Sequence, residues 1–178
     1  RNSMYKTNKI IFSLSLVLAT AITGIAQQPK RLIDEVNPFI GTSNFGTTNP
    51  GAIVPNGLMS ITPFNVMGSA ELNKYDKDAR WWSTPYSADN KFFTGFSHVN
   101  LSGVGCPELG SILLSASTGK LDVDYTHYGT TLSQEKAHPG YYTAVLDKYN
   151  VQAEVSATTR TSITAFTFRE GGLGNILV

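Results

Sequence analysis

The chain has 178 residues, of which 41% are hydrophobic and 15% charged, with a formal net charge of +1. That suits one globular domain or a piece of a larger protein. Nucleic-acid binding is excluded as a leading function, because no run of Lys or Arg supplies the clustered basic surface it needs.

Met4 reads as the start, preceded by Arg1-Asn2-Ser3. Lys6 and Lys9 form a positive n-region, residues 10–22 an apolar h-region, and Gly24-Ile25-Ala26 a small-residue cleavage site. Residues 1–26 are therefore expected to be a signal peptide, and residues 27–178 the mature domain, exported to the periplasm or the medium. The apolar run falls short of the ~20 residues of a membrane span, and no cysteine follows it to carry a lipid, so no stable membrane anchor is expected. Removing Arg1, Lys6 and Lys9 leaves 11 basic against 13 acidic residues, a net charge of −2. The one cysteine, Cys106, cannot form an internal disulfide and reads as a small buried apolar residue.

Residues 29–35 are a polar lead-in. Residues 36–52 hold two Asn-Pro pairs and a Pro-Gly pair, which read as loops. Residues 53–62 resume an apolar pattern around Asn56-Gly57, a hairpin signal. Pro55 keeps the flanking piece off a central ladder, and Pro63 is expected to end the strand. Residues 67–91 are polar and irregular, with Trp81 and Trp82 at their heart. Adjacent residues on an extended backbone face opposite sides, so one tryptophan can pack inward while the other stacks on a sugar ring; both can equally cover the core. Asp76-Lys77-Asp78 and Asp122-Val123-Asp124 lack the rest of a calcium loop and read as solvated charges.

Residues 95–110 read Gly-Phe-Ser-His-Val-Asn-Leu-Ser-Gly-Val-Gly-Cys-Pro-Glu-Leu-Gly. Neither a 3.6 nor a 2 period runs through them, so they are expected to form a long shaped loop pinned between Phe92-Phe93 and Ile112-Leu113-Leu114. A short strand is expected over 111–116, and residues 122–128 alternate. Another strand is expected over 140–146, with a turn at 147–150. Val151, Ala153, Val155 and Ala157 then alternate with polar residues, and a strand follows over 162–168. Asn175-Ile176-Leu177-Val178 reads as the start of a further strand, so the chain is expected to continue. Apart from the leader no segment shows a helix period. The expected fold is all-β, an antiparallel β-sandwich.

Five motifs occur in order: Val36-Asn37-Pro38-Phe39-Ile40-Gly41-Thr42, Pro50-Gly51-Ala52, Gly95-Phe96-Ser97-His98, Leu101-Ser102-Gly103-x-Gly105-Cys106, and Glu135-Lys136-Ala137-x-Pro139-Gly140-Tyr141-Tyr142. In them the chain, from about Leu32 to its last residue, resembles the N-terminal domain of glycoside hydrolase family 92, the calcium-dependent exo-α-mannosidases. The resemblance implies a β-sandwich that packs on the protein's own C-terminal (α/α)6 domain, with the active site between them. It implies inverting hydrolysis of terminal mannose from mannose-containing glycans, α-1,2-linked ones foremost. It places the acid, the base and most calcium ligands in the C-terminal domain, so no catalytic residue and no metal ligand is assigned here. The implied contribution of this chain is one wall of the sugar pocket, lined by Trp81, Trp82, His98, Asn100, Ser102, Gly103, Asn44, Thr48 and Asn49. For His98 a satisfied position inside the loop stays open as well. Glu108 has no partner carboxylate across a scissile bond and reads as structural. Where many members carry histidines in the first loop, this chain has Asn44-Phe45-Gly46-Thr47-Thr48-Asn49. It also has Asn100 in place of a second histidine and Pro107-Glu108 in place of Gly-Asp. These departures bear on linkage.

A second class stays open beside the enzyme: a secreted carbohydrate-binding sandwich without hydrolysis, using the same aromatics and loops. A cysteine-dependent hydrolase built on Cys106 lacks a nucleophile signature.

Overall fold

The computed structural model describes residues 31–43, 46–65, 84–101, 103 and 110–178. The leader, Asp76 and Asp78 lie outside the described residues, as do Asn44, Trp81, Trp82, Ser102, Cys106 and Glu108. From Leu32 onward the chain is one compact unit.

Its strands are β1 (Ala52–Ile53), β2 (Ser60–Phe64), β3 (Gly95–His98), β4 (Leu113–Thr118), β5 (Leu132–His138), β6 (Tyr141–Leu146), β7 (Val151–Ala157), β8 (Ser162–Phe168) and β9 (Gly174–Leu177). Among the described residues they form two antiparallel sheets, ordered β1-β2-β3-β4-β9 and β5-β6-β7-β8. β7 lies against β1 and β2 across the interior. The architecture is the expected β-sandwich.

The core follows from alternation. In β7 every second side chain, Val151, Ala153, Val155 and Ala157, is buried, and the residues between are half exposed. Tyr142, Ala144 and Leu146 of β6 join them, and Ala52, Ile61, Phe96 and Ala116 face them from the other sheet. Phe96 is the centre. Its ring stands edge-on to Phe93 at 4.9 Å and to Tyr142 at 6.0 Å, and tilts against Phe166 at 6.3 Å. Tyr142 and Phe166 belong to the opposite sheet, so one ring ties both layers with favourable aromatic geometry.

Four local expectations need correction. The stretch 95–110 begins as a strand: residues 95–98 pair with β2 and β4 before Val99, at φ 57°, turns the chain away. Its alternation is hidden because both faces are covered. Phe96 fills the core, Ser97 is 1% exposed, and Leu113 lies 2.7 Å from where a Cβ on Gly95 would be. Residues 122–128 contain no strand; Tyr125–Tyr128 form a single turn, α1. Asp124 caps it, accepting from Thr126 N at 2.9 Å and Thr126 Oγ1 at 2.6 Å, and this local bonding competes with a ladder.

Pro63 does not end β2 but sits buried within it, opposite Phe96. The carbonyls of Ser60 and Phe64 accept from Val99 and Thr94, so these residues bond toward β3. Pro63, out of phase with them, turns its missing donor toward β1, which pairs only as far as Ile61. Finally, β5 was not expected. Its Ser-Gln-Glu-Lys run hides a bulge between Ser133 and Lys136, with Gln134 at φ 52°. At the other end of the hairpin read from Asn56-Gly57, β1 and β2 do pair antiparallel, and β1 is the sheet edge expected from Pro55.

Candidate functional site

Three loops far apart in sequence meet beside β2 and β3. The first, residues 46–51, is folded back on the turn before it: Thr48 N donates to Gly41 O at 3.3 Å, and Thr48 Oγ1 to Ile40 O at 2.7 Å. Asn49 pins its far end, where Oδ1 accepts from Thr62 Oγ1 at 3.0 Å and from Gly51 N at 3.2 Å. Gly51 allows this approach. A Cβ there would lie 2.1 Å from Thr62 Oγ1 and 2.6 Å from Ile61 O, one of them rigid backbone. Gly51→Ala is accordingly expected to push the loop off β2 and to cost about 1–3 kcal/mol, as overpacking does. Amide exchange on residues 46–51 should then accelerate, and unchanged exchange there would refute the close-approach account.

The second loop follows β3. Val99 N donates to Ser60 O at 2.9 Å and Asn100 N to Ser60 Oγ at 2.8 Å. The Asn100 side chain bonds in both directions with Ser97: its Oδ1 accepts from Ser97 Oγ at 2.7 Å, and its Nδ2 donates to Ser97 O at 2.9 Å. Gly103 N then donates to Thr47 O at 2.9 Å, which joins the second loop to the first. The third piece starts at Thr84, whose Oγ1 donates to Thr48 O at 3.2 Å. His98 stands at the end of β3. Its backbone N donates to Ile112 O at 3.0 Å, and its Nδ1 lies 3.1 Å from the same oxygen.

Of the candidate lining residues, Thr48, Asn49, Asn100 and Gly103 thus belong to the bonded loops, whereas His98 is tied to Ile112 at the end of β3 and pairs with Ile61. Ser60, Thr62 and Thr84, which hold them there, carry no sequence signal, since a lone hydroxyl has no period and its partner lies 13 to 40 residues away.

A second polar node ties the third loop to β5. Tyr86 Oη and Tyr142 Oη donate to the same oxygen, Glu135 Oε2, at 2.9 and 2.7 Å. The bulge in β5 places Glu135 there. Burial, reinforced by the Glu135 charge, pushes both phenols above the ordinary tyrosine range, so both remain protonated donors. Asn65 brackets the same segment, exchanging bonds of 2.8 Å with Ser87 N and Ser87 O. Elsewhere, the Asp122–His127 contact at 3.2 Å is solvent-exposed and contributes little. Among the described residues no group of three or more His, Cys, Asp or Glu side chains is placed to hold a metal ion.

The chain matches the glycosyl hydrolase family 92 N-terminal domain over residues 35–178. It is similar to the solved family GH92 alpha-mannosidase BT3965 from Bacteroides thetaiotaomicron, with 31% identity and a TM-score of 0.70, over 83% of this chain and 20% of that one. The structure of BT3965 in complex with mannoimidazole matches with 32% identity and a TM-score of 0.67, over 78% and 18%. The GH92 family glycosyl hydrolase ccman5 matches with 26% identity and a TM-score of 0.62, over 81% and 20%. The chain spans about a fifth of the length of these solved relatives. No curated protein sequence matches.

Proposed function

The chain belongs to glycosyl hydrolase family 92 as its N-terminal domain, and from that membership we propose that it builds one wall of the saccharide pocket in an exported exo-α-mannosidase. The observation that carries this reading is the likeness to the alpha-mannosidase BT3965, a protein also solved with mannoimidazole. The meeting of the loops at Thr47–Gly103 and Thr48–Thr84 supports it, since it draws polar segments far apart in sequence together.

In this proposal the whole protein removes terminal mannose, α-1,2-linked mannose foremost, by single-displacement hydrolysis with inversion. Such chemistry needs an acid and a base carboxylate about 6.5–9.5 Å apart with a water between them. Both, and the calcium site, are assigned to a C-terminal (α/α)6 domain outside residues 1–178. Trp81, Trp82, Asn44 and Ser102 complete the wall contributed here, and residues 1–26 direct export.

The test is mannose release from an α-1,2-mannobiose by the full-length protein, followed by proton NMR. The expected first product is the inverted, β anomer. Activity should be lost with a calcium chelator and restored by calcium, while residues 27–178 alone should release nothing. Binding without cleavage by the full-length protein would instead make the domain part of a non-catalytic carbohydrate-binding protein.

A further inference from the structure

Each sheet has two edges, and an edge strand offers backbone N–H and C=O groups that another strand can take up. Three of the four edges are blunted. β1 has two residues and β9 four, and β5 carries the bulge at Gln134 and the charged Lys136. β8 differs. It has seven residues in unbroken register with β7, and no charge, proline, glycine or bulge among them. Among the described residues no strand pairs with its outer side. The sandwich is also less covered there. The inward-facing Phe166 and Phe168 are only half-buried, whereas the inward residues of β7 are buried, and Ile163 on the outer face is 71% exposed.

The sequence of β8 specifies what fits this edge. In antiparallel pairing about a two-fold axis a strand faces its own copy, and the register that uses all seven residues puts Ala165 on the axis. Ile163 then faces Thr167, Thr164 faces Phe166 and Ser162 faces Phe168, so inward side chains meet inward ones, as the pleat requires. Carried two residues past the strand ends, the same register sets Arg160 of each copy against Glu170 of the other. Arg169 faces Thr161 and meets no second arginine. The pairing thus brings two opposite-charge pairs and no like-charge pair, and it gives Phe166 its own copy as a diagonal neighbour, within reach of an aromatic ring. It is also closed, because it uses both β8 edges and leaves none for a third chain.

We infer that β8 is a dimerisation edge, on which a second copy of this chain adds its own β8 antiparallel, centred on Ala165, and joins the two four-stranded sheets into one. The contact is independent of the pocket wall. It depends on an unprotected edge strand and on the charges that flank it, and neither mannose release nor its absence bears on it.

The axis makes a register-specific test possible. Cα atoms directly opposite in an antiparallel pair lie about 4.5–5.5 Å apart, a separation that a disulfide spans. In the full-length protein Ala165→Cys should therefore form a disulfide dimer on mild oxidation, with mass spectrometry finding the bond between two copies of the 165 peptide. Ile163→Cys should not, because its copy lies four residues away, about 13 Å along the strand. Sedimentation reads the dimer without oxidation. Arg160→Glu and Glu170→Arg should each raise its dissociation constant about tenfold. The two together should restore it, since the exchanged charges meet again across the axis. A monomeric full-length protein, no disulfide at 165, equal crosslinking at 163 and 165, or a double variant as weak as the single ones would each overturn the inference. A monomer whose 162–168 amides all resist exchange would also overturn it, and would assign the edge to another strand of the same polypeptide.

Discussion

Replacing Phe96 with alanine is expected to destabilise the domain by about 3–5 kcal/mol, the range for truncating a large aromatic in a core. The site argues for the upper part of that range. Phe96 is fully buried, and its ring touches Phe93 within its own sheet region and Tyr142 and Phe166 in the other sheet. The cavity would therefore open between the layers, where neither sheet can close on it without sliding. The slowest-exchanging amides of β3, β6 and β7 in the full-length protein are the readout. They should exchange roughly a thousandfold or more faster. Phe96→Leu, which keeps most of the volume, should cost much less. Equal protection in Phe96→Ala and wild type would show that this ring does not couple the two sheets.

The same residue shows what the sequence could and could not disclose. β7 and β8 were legible to the residue, because one face of each meets the core and the other meets solvent, so polarity reports the pleat. β3 was hidden because its polar residues also face protein: Ser97 is buried and bonded to Asn100, and Gly95 makes room for Leu113. β5 was hidden by its bulge, which shifts the phase of the strand halfway along. α1 was mistaken for alternation because a four-residue turn is decided by one cap, Asp124, and not by periodicity. The motifs pointed to His98, Thr48, Asn49, Asn100 and Gly103 but were silent on what holds each of them. Asn49 bonds Thr62, Asn100 bonds Ser97 and His98 bonds Ile112, contacts that depend on the strand register.

Removing the Glu135 carboxylate is the second substitution expected to matter most. Tyr86 and Tyr142 both donate to its Oε2 and both are buried, at 3% and 0% exposure. In Glu135→Ala each phenol loses its acceptor at about 1–3 kcal/mol per group, and the segment at 84–90 loses its tie to β5. Glu135→Gln keeps an acceptor and should recover part of the loss. The tyrosines also set a pH dependence whose sign follows from their shifts. Burial first, and the Glu135 charge second, raise both phenols above the unfolded value of about 10. A raised value means that the folded state holds its proton while the unfolded state releases it. The associated stability is fully present below pH ~10 and is lost as pH rises toward the raised values, by about 1.4 kcal/mol per pH unit for each such tyrosine. Melting temperatures of the wild type and of Tyr86→Phe between about pH 8 and 11 test this. The variant should start lower, having lost one donor, and then fall less steeply above pH ~10, because one linked proton is gone. Parallel slopes would mean that Tyr86 ionises as freely in the folded chain as in the unfolded one, and the carboxylate–phenol node would lose its energetic role.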